Sequence, residues 1–186
     1  MKSKNITQVV AVAASVAVIG SIGGIAFAAQ DQPTQDRYSL TVPGGGLAFA
    51  DFRGYDGWQT VAVSETKTSV KAILANDTMI QAYKDGVPGN GKTFPEGSKV
   101  VKIEWLKKVN TKAPYFVHVP DTLKSLSFIE KDSKRFPNTH GWAYAQFAYD
   151  TPSRTFKPSV TGPECGYACH TPVASQDYIY TAYPVR

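Results

Sequence analysis

The sequence predicts a mainly β (α+β) fold, an antiparallel β-sheet domain with a few short helices. Three observations carry this. Short runs rich in Val, Ile, Thr and aromatic residues recur between clusters of Pro and Gly. The run Lys99 to Val109 alternates, with Val101, Ile103 and Trp105 on one side and Lys102, Glu104 and Leu106 on the other. Helix punctuation marks a short segment opened by the cap Asn76-Asp77, carrying Met79, Ile80 and Tyr83 and stopped at Gly86.

At the N-terminus, Lys2 and Lys4 precede an apolar run from Val9 to Ala28 that ends in Ala26-Phe27-Ala28. A basic start, an apolar stretch and a small-residue cleavage site define a secretory signal peptide over residues 1–28. The run is nearly long enough to span a bilayer, so an uncleaved anchor is the rival. The small-residue ending favours cleavage, and in both readings the folded part is exported, into the periplasm or beyond the cell. Residues 29–48 are polar and glycine-rich and are expected to form a flexible lead-in. Residues 49–186 are the folded domain.

Strands are expected over Trp58–Val63 and Ser69–Leu74, followed by the helix. Val87 to Gly97 carries Pro88, Gly89, Gly91 and Pro95 and reads as a loop. Further strands are expected over Lys99–Val109, Pro114–Val119, Leu126–Glu130 and the aromatic stretch Gly141–Tyr149. Pro152, Pro158, Gly162 and Pro163 punctuate the next stretch, and Tyr178 to Tyr183 is a last apolar segment.

Loss of residues 1–28 leaves 158 residues of the 186, enough for one core. It removes Lys2 and Lys4 and lowers the net charge from +5 to +3. That mild charge, with no basic run or aromatic-basic stripe, argues against nucleic acid as a partner.

The chemistry concentrates in Glu164-Cys165-Gly166-Tyr167-Ala168-Cys169-His170, which holds both cysteines of the chain. Two thiols followed at once by an imidazole suggest covalent haem. The thiols add to the porphyrin vinyls, and the imidazole coordinates the iron. The usual attachment motif has two residues between its cysteines; here there are three. Residues four apart share a helical face, so Cys165 and Cys169 still point the same way on a helical turn. Two other readings stand beside this one. Exported cysteines at this separation are within disulfide reach, which leaves His170 a bystander. A zinc site has three ligands here, with no fourth suggested by spacing.

By its strand pattern alone, Lys102 is a solvated lysine on a half-buried sheet. His118 is a strand histidine, His140 belongs to a loop, and no spacing marks Glu96 or Glu104 as an acid or base. No phosphate-binding loop and no nucleophile elbow is present. Met79 belongs to the predicted helix and its core face, so no methionine offers itself as a sixth iron ligand.

Several pieces, in this order, resemble the cytochrome P-460 family, which includes the cytochrome c′-beta proteins. They are Phe94-Pro95-Glu96-Gly97, Val100-Val101-Lys102, Asp132-Ser133-Lys134-Arg135-Phe136 and Gly141-Trp142-Ala143-Tyr144. The cysteine-histidine segment and Asp177 to Val185 complete the set, so the resemblance runs from about Phe52 to the C-terminus. It implies an antiparallel β fold, a homodimer, and one haem c carried by Cys165 and Cys169 with His170 on the iron. Members of the P-460 type also tie a lysine to the porphyrin edge. Lys102, five residues after Gly97, falls where that lysine is expected. Such members oxidise hydroxylamine, with or without nitric oxide, and pass electrons to an acceptor protein. The c′-beta members lack the cross-link and bind nitric oxide or carbon monoxide behind an apolar cap.

The chain departs from that pattern twice. The cysteine spacing is one residue longer, and Lys71 stands where a distal arginine is expected. Lysine is a compact charge without the arginine fork, which changes how a substrate is held. Several aromatics, Phe52, Phe94 and Phe136 among them, are candidates for a cap over the iron. The remaining alternative is a haem-free β domain closed by a Cys165–Cys169 disulfide.

Overall fold

A computed structural model of the protein describes residues 35–186 apart from 45, 160 and 161. The expected signal peptide, and residues 29–34 of the lead-in, lie outside the described residues. Six antiparallel strands form one sheet in sequence order: β1 (Gln59–Glu65), β2 (Ser69–Ala75), β3 (Lys99–Val109), β4 (His118–Lys131), β5 (Trp142–Asp150) and β6 (Thr155–Pro158). Helix α1 (Asp77–Lys84) lies between β2 and β3, and helix α2 (Pro163–His170) comes after β6. Every strand pairs with its sequence neighbour, as short connections in a meander require.

The cap read from the sequence is present. Asn76 Oδ1 accepts from Met79 N at 3.2 Å and from Lys99 N at 3.0 Å, and its amide donates to Gly97 O at 2.9 Å. One side chain thus starts α1 and ties it to the head of β3. Met79, Ile80, Ala82 and Tyr83 turn inward. Gly86, with φ 89°, ends the turn in the left-handed region.

Strand alternation gives the sheet two different faces. On one, Leu74, Val101, Leu126, Phe128, Ala145 and Phe147 meet Val42, Leu47, Phe49, Phe52 and Tyr55 from the N-terminal segment. Phe52 stacks on Phe128 at 4.3 Å and 7°, and Phe49 meets Phe128 edge-on at 5.0 Å. On the other, Ile73, Ala75, Val100, Trp142 and Tyr144 pack with α1, Phe94, Tyr178 and Ile179.

Three expectations need correction. Within the expected flexible lead-in, Val42 and Leu47 are fully buried, and Thr41 bridges to Ala48. Gly44, with φ 78°, serves a tight return in which Val42 N donates to Leu47 O at 3.1 Å. Residues 114–117 of the strand expected over 114–119 form no strand, and its end is continuous with the strand expected over 126–130 in one β4. Pro120 lies within it, in a stretch paired only with β3, where a missing N–H is tolerated. Residues 155–158, expected only as punctuation, form β6. In the last apolar segment, Tyr178 closes a turn and the residues after it run on beside α1, with Tyr83 donating to Thr181 O at 2.8 Å.

Candidate functional site

A cavity of about 440 Å³ lies between the second face of the sheet and α2 with the chain after it. Its floor comes from β2, β3, β4 and β5: Lys71 and Ile73, Val100 and Lys102, Ser127 and Ile129, Tyr144 and Gln146. Its roof carries Cys165, Cys169 and His170. Lys71 and Lys102 thus meet the cysteine-histidine segment at one cavity, although the two lysines lie far from it in the chain. Register explains the floor: Lys102 lies between Ile73 on β2 and Ser127 on β4, and Gln146 is opposite Ser127.

Pro163 opens α2 at a position where its missing N–H costs nothing. Cys165 and Cys169 lie one turn apart on this helix, exposed, and their thiols are free. The helix backbone rests on the Tyr144 ring. A Cβ at Gly166 would stand 2.2 Å from Tyr144 Cβ, so only glycine lets α2 approach β5 this closely.

His170 closes the helix. Its Nδ1 is 2.6 Å from Tyr178 O. A carbonyl oxygen only accepts, so Nδ1 carries the proton and Nε2 keeps its lone pair. Tyr144 and Tyr180 flank the ring at 4.7 and 5.0 Å. Burial pushes the imidazole pKa down, the Tyr178 carbonyl pulls it back, and Lys102 lowers it further, with a net fall. The ring is thus neutral at neutral pH, the form that binds a metal.

Lys102 projects from mid-β3 onto the cavity face, half-buried. Burial is the main force lowering its pKa; Glu104 opposes, while Lys71 and Lys124 add to the fall. Glu104 itself is engaged elsewhere, accepting from Ser69 Oγ at 2.8 Å and Lys124 Nζ at 3.0 Å. Lys102 is therefore no ordinary solvated lysine. The alternation was read correctly, but the second face looks into a cavity and not into water.

The other named residues take ordinary places. His118 contacts Glu65 Oε1 at 2.8 Å on β4. His140 is exposed in a loop, against Tyr178 at 5.2 Å. Met79 is fully buried in the core. None of Phe52, Phe94 and Phe136 lines the cavity, which corrects the expected aromatic cap. Phe52 and Phe136 belong to the opposite core, and Phe94 packs on Tyr83 and Trp142. Aliphatic side chains line it instead, Ile73, Val100, Ile129 and Ile179, with Phe128, Tyr144 and Tyr180 as the aromatic residues that border it.

Sequence reasoning missed two residues here. Tyr144 lies beneath both the helix and the imidazole, and its hydroxyl is buried without a hydrogen-bond partner. Asp177 is buried beside the last turn and holds three donors. A lone carboxylate next to Tyr178-Ile179 in an apolar segment was the available signal. A larger and more open hollow of about 620 Å³ lies behind Asp177, but it has no thiol and only the exposed His140 as an imidazole.

Two free thiols one turn apart, a neutral imidazole with a bare Nε2, aliphatic walls and an unpartnered phenol fit a covalently attached haem. Fold and site together define a c-type haem protein mounted on one face of an antiparallel sheet. The chain belongs to the cytochrome P-460 family: the family model matches residues 52–181, most of the chain. The family implies a c-type haem with its iron. No curated protein matches the chain.

Proposed function

We propose that this chain is an exported, periplasmic haem c protein that oxidises hydroxylamine or a related small nitrogen species and delivers the electrons to an acceptor protein. Cys165 and Cys169 would hold the group, and His170 Nε2 would supply a nitrogen ligand to its iron. Lys102 would be bonded to the porphyrin edge, a bond that replaces one amine N–H and one ring C–H and so takes a two-electron oxidant such as peroxide, and Lys71 would place a positive charge beside the substrate. Bound haem supplies an iron centre that draws electrons from a small nitrogen ligand.

The observation that carries this reading is the placement of Lys102. It shares the cavity with His170, has its amine pushed toward the neutral, nucleophilic form by burial, and faces a Glu104 carboxylate that is hydrogen-bonded to Ser69 and Lys124. Met79 is locked in the core, so its sulfur does not compete for the iron. The exposed apolar set Val63, Leu106, Val109, Tyr115 and Phe116 supports a homodimer.

The test is turnover of hydroxylamine with an artificial electron acceptor, paired with the optical spectrum of Lys102→Ala. The reading expects turnover in the parent, and in the variant a spectrum shifted to that of an ordinary c-type haem. A parent spectrum unchanged by Lys102→Ala removes the cross-link. The apolar part of the lining, Ile73, Val100, Ile129 and Ile179, favours a second reading, a nitric oxide-binding cytochrome of the c′-beta kind. Tight nitric oxide binding without hydroxylamine turnover selects it.

A further inference from the structure

Asp177 and Tyr178 are adjacent non-glycine residues that both have positive φ, 49° and 63°. Asp177 sits in the left-handed helical region, with ψ 43°. Such conformations are strained and persist where the surroundings over-determine them. Here the surroundings act through one side chain. The buried Asp177 carboxylate accepts from Phe94 N at 2.8 Å, from Trp142 Nε1 at 3.1 Å, and from Lys131 Nζ at 3.0 and 3.2 Å. Lys131 is itself buried, and its ammonium lies 4.8 Å from the Trp142 ring centre. Three separate parts of the chain, the loop before β3, the end of β4 and the start of β5, thus clamp one residue.

The carbonyl that this clamped pair presents is Tyr178 O, the acceptor for His170 Nδ1. The backbone turn is closed by Asp177 N to Ala174 O at 3.0 Å and Tyr178 N to Val173 O at 3.1 Å. No side chain among the described residues competes for the imidazole proton, so the hydrogen bond's length and direction depend on where the Asp177-Tyr178 turn is held.

We infer that Asp177, clamped by Lys131 and Trp142, is a positioning residue: it fixes the carbonyl that accepts the His170 Nδ1 proton and thereby sets how strongly Nε2 donates to the haem iron. The outer hydrogen bond of a metal-bound histidine orients the ring and raises its basicity. A more basic imidazole stabilises the oxidised iron, so a firmly held carbonyl lowers the reduction potential. This inference rests on the haem reading above.

Two variants test it, both made as exported, haem-loaded protein. Asp177→Asn keeps an acceptor and tolerates the left-handed backbone, but loses the ion pair. Lys131→Met removes the other half of the pair. By charge alone the first raises the potential and the second lowers it. Loosening the carbonyl raises it in both. A redox titration should therefore show a rise in both variants, and resonance Raman should show the iron–histidine stretch falling in both. A fall in potential in Lys131→Met, or an unchanged stretch in either variant, overturns the inference whatever happens to thermal stability. If either variant fails to take up haem, Trp142→Phe serves in its place, with a smaller rise expected and an unchanged potential counting against the inference. A parent protein that carries no haem by intact mass sinks the haem reading itself. A haem-bearing variant with parent values sinks this inference alone.

Discussion

Neighbouring residues of β3 show two uses of one strand. Val101 is sealed, fully buried, in an aromatic core with Phe52 and Phe128. Lys102 and Glu104 turn the other way, onto a face with charged groups, orphaned hydroxyls at Ser125 and Tyr144, and open volume. The first face is closed by an N-terminal segment that contributes Phe49, Phe52 and Tyr55 and little chemistry. The second is left incomplete by its own side chains. Dense packing supplies stability, and a face that leaves room and buries unpartnered polar atoms gives up stability to receive a ligand.

The sharpest contrast comes from deleting one side chain on each face. Phe128→Ala should cost about 3–5 kcal/mol in denaturant unfolding, because its ring anchors the stack with Phe52, Phe49 and Phe147. Haem uptake by the fraction that folds should be unchanged. An equal loss on removing Lys102 would erase the distinction. Leu47→Ala is expected to cost about 2–5 kcal/mol by the same measurement, because the fully buried side chain belongs to that core. A change within experimental error would restore the loose lead-in.

Gly166→Ala probes the other face. The added methyl meets Tyr144, so α2 must lift from β5 at a cost of about 1–3 kcal/mol. The ratio of haem to protein should fall more than the stability of the sheet. Full haem loading would show that the close approach is dispensable.

The smallest effect is a pH dependence at the charged end of the cavity face. Burial pushes the Glu104 pKa up, but hydrogen bonds from Ser69 and Lys124 outweigh it and leave the carboxyl below its ordinary value. A carboxyl whose pKa is lower in the folded state contributes stability above its unfolded pKa, near 4.5. That contribution is lost as pH falls through the folded value. Glu104→Gln should flatten the acid limb of the stability curve in that window and leave the curve's shape near neutrality alone. An acid limb of unchanged steepness would contradict the assignment.

Local patterns that report on one element were legible in the sequence. Alternation along Lys99 to Val109 marked the two faces, Asn76 marked the helix start, and the cysteine spacing suited a helical turn. Features that depend on what covers a face were not legible. Lys102 alternates like a solvent-facing lysine whether water or α2 lies above it. Phe52, Phe94 and Phe136 are equally apolar, and only the fold decides that all three pack away from the cavity. Pro120 ordinarily breaks a strand, and its tolerance comes from β5 pairing only with Ser125 onward. Asp177 has no periodic signature, since its three donors come from positions 94, 131 and 142.

Function here depends on whether the cavity face is finished by iron porphyrin held through Cys165 and Cys169. Intact mass of the mature chain, exported from a host that matures cytochromes c, decides it. The expected result is a gain of one haem with no thiol left to alkylate. A chain lighter by two hydrogens, colourless and with Cys165 joined to Cys169, would contradict it.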